Sequence, residues 1–235
     1  MRVAAIADLH CRADSGGTIR PLLAAVEREA DVLLLGGDLT DTGLVEEAEV
    51  LLDELDDLAI PIVAVLGNHD HENDRAEHIE TMIKDEGIRL LDASVTEIDG
   101  VGFVGTKGFC GGFDERLVQP FGERALKAFI RHGMEEAMRL ESAAAKLEDC
   151  RARVGVLHYS PVVGTLEGEP PELWPMLGTS RLAGALDRHR VSAVVHGHAH
   201  HGSPEGRTPG GAAVYNVSRF VHERHGLAAC RIFQV

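Results

Sequence analysis

The sequence predicts a layered α/β fold. Five short, almost wholly apolar runs suit strands buried on both faces, and helical patterns alternate with the first three of them. Each run is also followed at once by polar residues of metal-binding type, the placement expected at the carboxyl ends of strands in an open sheet.

The five runs are Val3–Ala7, Val32–Leu35, Ile62–Leu66, Val154–Leu157 and Ala193–Val195. Helices are expected over Thr18–Glu29 and Leu44–Leu58, with Thr42-Gly43 and Pro61 as punctuation. A further helix is expected over Asp74–Glu86, then short strands at Arg89–Leu91, Ser94–Ile98 and Val101–Gly105. Glu123–Asp149, rich in Ala, Glu, Lys, Arg and Leu, reads as one long or two shorter helices with a kink at Gly133. Strands return near Ala212–Val217 and Leu227–Phe233. Two irregular stretches, Lys107–Phe113 and Ser160–Gly178, have the Gly, Pro and aromatic content of loops that shape a pocket.

With 235 residues and 44% hydrophobic content the chain can bury one sizeable core, and residues 1–235 read as one domain. No apolar run approaches the roughly 18–20 residues of a membrane span, and the N-terminus enters a strand pattern directly, so the expectation is a soluble cytoplasmic protein. The four cysteines, Cys11, Cys110, Cys150 and Cys230, form no CxxC pair and fit free thiols, Cys11 as a small buried one. A net charge of -15 argues against an extended nucleic-acid groove. It leaves open a small phosphate ester, provided bound cations supply local positive charge.

The strand ends carry "ADLH" (Asp8, His10), "GGDLTD" (Asp38, Asp41), "GNHD" (Asn68, His69, Asp70), "LHYSP" (His158) and "HGHAH" (His196, His198, His200). In an extended chain Asp8 and His10, like His196 and His198, project to the same side. Two Asp, three or more His and one Asn form a mixed oxygen and nitrogen donor set, suited to Mn²⁺, Fe or Zn²⁺ and large enough for two ions. Singly, His158 fits a core histidine, Asn68 a turn residue and Asp41 a helix-capping acid before Gly43. Five blocks in order, each at a strand end, outweigh those readings together.

Taken in order, Asp8-x-His10, Gly37-Asp38, Gly67-Asn68-His69-Asp70, His158 and Gly197-His198 preceded by His196 resemble the calcineurin-like metallophosphoesterase pattern. The resemblance implies a four-layer αββα sandwich, two mixed sheets face to face with helices outside. It implies that Asp8, His10 and His198 bind one divalent ion, that Asn68, His158 and His196 bind a second, and that Asp38 bridges both. His69 would be the non-ligating histidine that stabilises the transition state or protonates the leaving group, Asp41 the acid that orients it, and Asn68 a further stabiliser of the phosphoryl charge. His71, His200 and His201 fall outside the pattern and read as supporting or solvated residues.

The activity so implied is hydrolysis of a small phosphate ester, a phosphodiester above a monoester, by a hydroxide activated between the two ions. Lys107, Phe109, Phe113 and Trp174 are the candidate substrate contacts, offering a cation and aromatic surfaces. The alternatives are a protein-binding scaffold that keeps this fold, whose signature would be missing ligands, and a metal-binding protein without turnover. Oligomeric state is not legible.

Overall fold

The computed structural model describes residues 1–235. In chain order the elements are β1 (Arg2–Ile6), α1 (Val26–Glu29), β2 (Val32–Gly36), α2 (Val45–Leu55), β3 (Ile62–Val65), α3 (Ala76–Asp85), β4 (Arg89–Leu90), β5 (Ser94–Ile98), β6 (Val101–Thr106), α4 (Arg124–Ala144), β7 (Ala152–Leu157), α5 (Trp174–Leu177), α6 (Ser180–Asp187), β8 (Ala193–His196), β9 (Glu205–Arg207), β10 (Ala213–Asn216), α7 (Arg219–Arg224) and β11 (Arg231–Gln234).

They build two mixed sheets, ordered β11-β1-β2-β3-β4 and β5-β6-β7-β8-β10-β9. The central pairs run parallel, while β11, β5 and β9 pair antiparallel at or beside the edges. Strand periodicity assigns each apolar side chain to one of three cores. In β2, Leu33 and Leu35 face α2 and α3, where they meet Leu51, Leu55, Ile79 and Ile83. Val32 and Leu34 face the other way, onto Phe103, Val154, Val156 and Val195 of the second sheet. On the far side of that sheet, Val104, Leu157 and Val194 pack under Leu140 of α4 and Leu182 and Leu186 of α6. The near-continuous apolar runs are therefore strands covered on both faces.

Three local expectations change. Thr18–Glu29 is not one helix but a 3-10 turn at Arg20–Leu23 followed by the single turn of α1. Pro21 occupies that first turn, and Glu54 holds it by accepting the backbone N–H groups of Gly17, Ile19 and Arg20. Gly133 does not kink α4, which runs unbroken for 21 residues. A Cβ at Gly133 would lie 2.6 Å from the Cys110 carbonyl, so glycine there lets the 107–113 loop press onto the helix. The third change is the presence of α5, α6 and α7, three short helices without a counterpart in the sequence reading.

Candidate metal centre

The loops after β1, β2, β3, β7 and β8 meet at one end of the two sheets. Asp70 locks two of them together. Its fully buried carboxylate accepts from the Leu39, Thr40 and Gly67 backbone N–H groups at 3.2, 2.8 and 2.7 Å, and from Thr40 Oγ1 at 2.6 Å. Burial, reinforced by the charge of Asp38, pushes its pKa up. Although it belongs to the "GNHD" block, Asp70 is spent on the backbone and fixes where Asp38 and Asn68 stand.

Four of the converging residues turn sharply out of their strands: Asp8, His10, Asp38 and His198 have φ of 58°, 44°, 47° and 67°. The left-handed backbone re-aims each side chain towards the common centre. Gly67 permits the closest approach, since a Cβ there would lie 2.1 Å from Asp38 Oδ1.

Three donor groups result, one of them the half-buried His10, Asp41 and His69; the other two lie deeper and share an acid. Asp8, His10, Asp38 and His200 form one, and Asp38, His158 and His198 form the other, each with its ligand atoms within 4.8 Å of one another. Asp38 belongs to both. Asn68 completes the second side, its Oδ1 2.9 Å from His158 Nε2, with Asp38 Oδ1 3.3 Å from the same nitrogen.

Hydrogen bonding sets the tautomers. His158 Nδ1–H donates to the Gly36 carbonyl at 3.0 Å, so Nε2 is the nitrogen turned to the oxygens of Asp38 and Asn68. Burial opposes charge on His158, but the carboxylates of Asp38 and Asp8 outweigh it and push the imidazole up to about 9. Asp8 itself is fully buried, which works against ionisation, yet His200 and His158 hold it well below the usual carboxylate range. His10 Nδ1–H donates to Asp41 Oδ1 at 3.1 Å, leaving Nε2 facing Asp38 Oδ2 at 3.7 Å. His10 Nε2, Asp38 Oδ2 and His200 Nε2 are all buried without a hydrogen-bond partner. His200 Nε2 lies 3.5 Å from Asp8 Oδ1. Lone pairs turned inward on one another are costly unless a cation lies between them.

Two of the expected residues stand elsewhere than the sequence reading placed them. His196 joins none of the groups. Its Nδ1–H donates to the Gly197 carbonyl and its Nε2 accepts from Thr165 Oγ1, both at 2.8 Å, and burial lowers its pKa to about 4. The reason is strand parity: β8 extends through His196, which shares the outward face of Val194, whereas His158 shares the inward face of Val156. His198 consequently moves to the His158 side, and His200 takes the place beside Asp8 and His10. The second is Asp41, whose carboxylate supports His10. It is the Asp41 backbone carbonyl that holds His69, accepting from Nδ1–H at 2.6 Å.

The expected substrate contacts divide between two cavities. Lys107 lines one of about 400 Å³, and Phe109 lies beneath its ammonium, 5.2 Å from ring centre to Nζ. Phe113 and Trp174 line a second, of about 410 Å³. Phe113 is otherwise buried against Leu166 and Ala199. His71 reaches the first cavity, while His201 is exposed. Beyond the sequence reading, Phe220 of α7 stands 4.6 Å from the His200 ring and 5.7 Å from that of His10, with the Arg219 guanidinium stacked on it. Only the left-over imidazoles of "HGHAHHG" pointed towards His200, and nothing in the sequence marked Arg219 or Phe220.

This chain belongs to the calcineurin-like phosphoesterase family, whose profile matches residues 1–202. A probable cyclic nucleotide phosphodiesterase of Synechococcus sp. is 38% identical over 80 residues, a match that spans 30% of this chain and 31% of that protein. Among solved structures, the phosphopantetheinyl hydrolase of Mycobacterium tuberculosis superposes with a TM-score of 0.71 at 17% identity, over 98% of this chain and 95% of that one. The TT1561 protein of Thermus thermophilus gives 0.60 at 15% identity, over 99% and 98%. A putative 5'-nucleotidase of Staphylococcus aureus gives 0.57 at 13%, over 92% of this chain and 48% of its own. These likenesses establish the α/β fold of two mixed sheets flanked by helices. The family uses divalent metal ions, and the converging donors with their orphaned atoms fit such ions. No helix is long and apolar enough to cross a membrane.

Proposed function

We propose that this protein is a divalent-metal-dependent phosphodiesterase for a small substrate, with residues 1–235 as one catalytic domain. The observation that carries the reading is the position of Asp38, shared between two donor groups, with His10 Nε2, Asp38 Oδ2 and His200 Nε2 buried and unpartnered beside it. In this reading Asp8, His10, Asp38 and His200 hold one ion, and Asp38, Asn68, His158 and His198 hold the other. The mixed donors suit Mn²⁺, Fe or Zn²⁺. Such ions neutralise phosphoryl oxygens and lower the pKa of the attacking water.

The chain's own residues supply orientation and proton transfer. Asp41 and Gly36 fix the tautomers of His10 and His158 so that each presents Nε2 to the centre. His69 serves the leaving group. Because the Asp41 carbonyl is an acceptor only, Nδ1 keeps its proton and exchange is left to Nε2. As the P–O bond breaks, Nε2–H of the imidazolium protonates the departing oxygen and the neutral ring remains. A side chain that is 34% exposed can then be reprotonated from solvent.

Preference for a diester rests on the stretch shared with the cyclic nucleotide phosphodiesterase. The free thiols suit a reducing cytoplasm, and a net charge of -15 suits a small substrate better than a long nucleic acid. The test is Mn²⁺-dependent hydrolysis of bis-p-nitrophenyl phosphate against p-nitrophenyl phosphate, with ion counting in wild type and Asp38→Asn. Faster diester turnover and loss of both ions in the variant are expected. Turnover of the monoester alone would make the protein a phosphomonoesterase, and two ions retained by Asp38→Asn would end the bridging assignment.

A further inference from the structure

At the first residue of α7 the chain sets a guanidinium that none of its acids engages. Arg219 forms no ion pair, and its Nε is buried without a hydrogen-bond partner. The group rests instead on the next side chain, with Cζ 4.7 Å from the centre of the Phe220 ring. The segment is pinned to the metal centre at two points. The Arg219 backbone N–H donates to the Ala7 carbonyl at 3.1 Å and the Ala7 N–H to the Val217 carbonyl at 2.8 Å, which ties the start of α7 to the residue before Asp8. Asn216 Nδ2 donates to the Ala199 carbonyl at 2.8 Å, between His198 and His200. So held, Phe220 stands 4.6 Å from the His200 ring and 5.7 Å from that of His10. One ring separates those imidazoles from the guanidinium.

Burial pushes the Cys11 thiol up in pKa and the Arg219 charge acts the other way, which sets the cation on the side where Cys11 follows His10. Glu47 and Glu54, whose charges also reach Cys11, do not pair with it. They accept from backbone N–H groups instead, Glu47 from Thr42 and Leu44, Glu54 from Gly17, Ile19 and Arg20. On the same edge the Asp41 carboxylate accepts from His10 and has Arg12 at 4.0 Å. We infer that Arg219 is a substrate-binding residue, whose guanidinium takes the anionic oxygens that a phosphate ester turns towards α7, with Phe220 as the platform that holds it beside His10 and His200. This deepens the phosphoester-hydrolase reading and rests on it. A guanidinium carries five N–H donors and no acceptor, and its planar fork matches two oxygens of one phosphate in parallel. Stacking on an aromatic face orients that fork before the ligand arrives, which an ammonium cannot reproduce. A cation left unpaired beside a centre that binds anions gains its partner with the substrate.

The test titrates inorganic phosphate into the Mn²⁺-loaded protein by calorimetry, and measures KM and kcat for bis-p-nitrophenyl phosphate in wild type, Arg219→Met and Arg219→Lys. Arg219→Met should weaken phosphate about tenfold, or ~1.4 kcal/mol, and raise KM by more than it lowers kcat. Arg219→Lys, which keeps the charge without the fork, should recover part of the affinity. Both variants should retain two ions per chain and the full Mn²⁺-dependent rise in Tm, readouts that a merely structural role would disturb. Wild type that binds no phosphate, an unchanged Kd in Arg219→Met, or a loss of affinity that comes with a lost ion would overturn the inference. Failure of the phosphoesterase reading would register separately, as no hydrolysis of bis-p-nitrophenyl phosphate by wild type. The phosphate titration needs no turnover and would still decide the role of Arg219.

Discussion

His196→Ala and His200→Ala should have opposite consequences, although the residues are four apart and both are histidines. His196 is fully buried with both ring nitrogens bonded to protein. Its removal leaves the Gly197 carbonyl with the Ala199 backbone N–H at 2.8 Å, while the Thr165 hydroxyl can turn to the Val162 carbonyl at 3.2 Å. The vacated, fully buried ring leaves a cavity, at a cost of about 3 kcal/mol. In a chain of this size that lowers Tm by roughly 6–12 °C. The His200 ring is 31% exposed and its one polar neighbour is Asp8 Oδ1, at 3.5 Å, so its loss costs ~1 kcal/mol, well below that of His196. Calorimetric melting with and without Mn²⁺, combined with ion counting, separates the two. An ion at a hundredfold excess over its Kd stabilises the fold by ~2.7 kcal/mol. His196→Ala should melt early yet keep the full Mn²⁺-dependent rise and two ions per chain. His200→Ala should melt near wild type when metal-free, lose part of the rise and bind one ion fewer. The reverse pattern, with an ion lost in His196→Ala and two retained in His200→Ala, would refute the tautomer and parity reasoning.

Other substitutions probe single contacts. Asp41→Asn weakens the support of His10 but leaves the backbone carbonyl that holds His69, so metal affinity should fall about tenfold while kcat at saturating metal stays within a few-fold. A collapse of kcat there would return the Asp41 carboxylate to His69. Gly67→Ala would drive a Cβ to 2.1 Å from Asp38 Oδ1, and ion counting should show both sites emptied; two ions retained would contradict the close approach. Gly133→Ala gains up to ~1 kcal/mol of helix propensity, yet its Cβ would meet the Cys110 carbonyl at 2.6 Å, so urea denaturation should show a loss of stability. A stabilised variant would mean that the 107–113 loop yields easily.

Much of this architecture is legible in the sequence because two-sided burial leaves a strong mark. "VLLL" at 32–35 needs apolar neighbours on both faces, and it has them. The strand-end acids and imidazoles are equally legible, since a run of Val and Leu that stops at Asp or His marks where a sheet opens. Finer placement depended on a single residue. Ending β8 at Val195 makes His196 the first loop residue and a natural donor; extending it by one residue keeps the ring in the pleat and on the wrong face. The pair at i and i+2 that the structure brings to the centre is therefore His198 and His200, two positions beyond His196 and His198. At Asp41 the limit is different: sequence reveals side chains, and the contact with His69 is made by a carbonyl that every residue possesses. The helices α5, α6 and α7 leave no mark in the sequence because four, eight and six residues carry too few turns for a period to emerge.

The left-handed backbone at Asp8, His10, Asp38 and His198 has a consequence for anyone who tries to harden this enzyme. Each such residue forgoes of the order of 1 kcal/mol that glycine would recover, and Asp8 and Asp38 also keep carboxylates out of water. A laboratory selection that rewards heat tolerance without scoring turnover would therefore find early gains by dismantling the centre itself. Directed evolution of this scaffold needs an activity screen at every round, because the cheapest route to a tougher protein leads through the residues its chemistry can least spare.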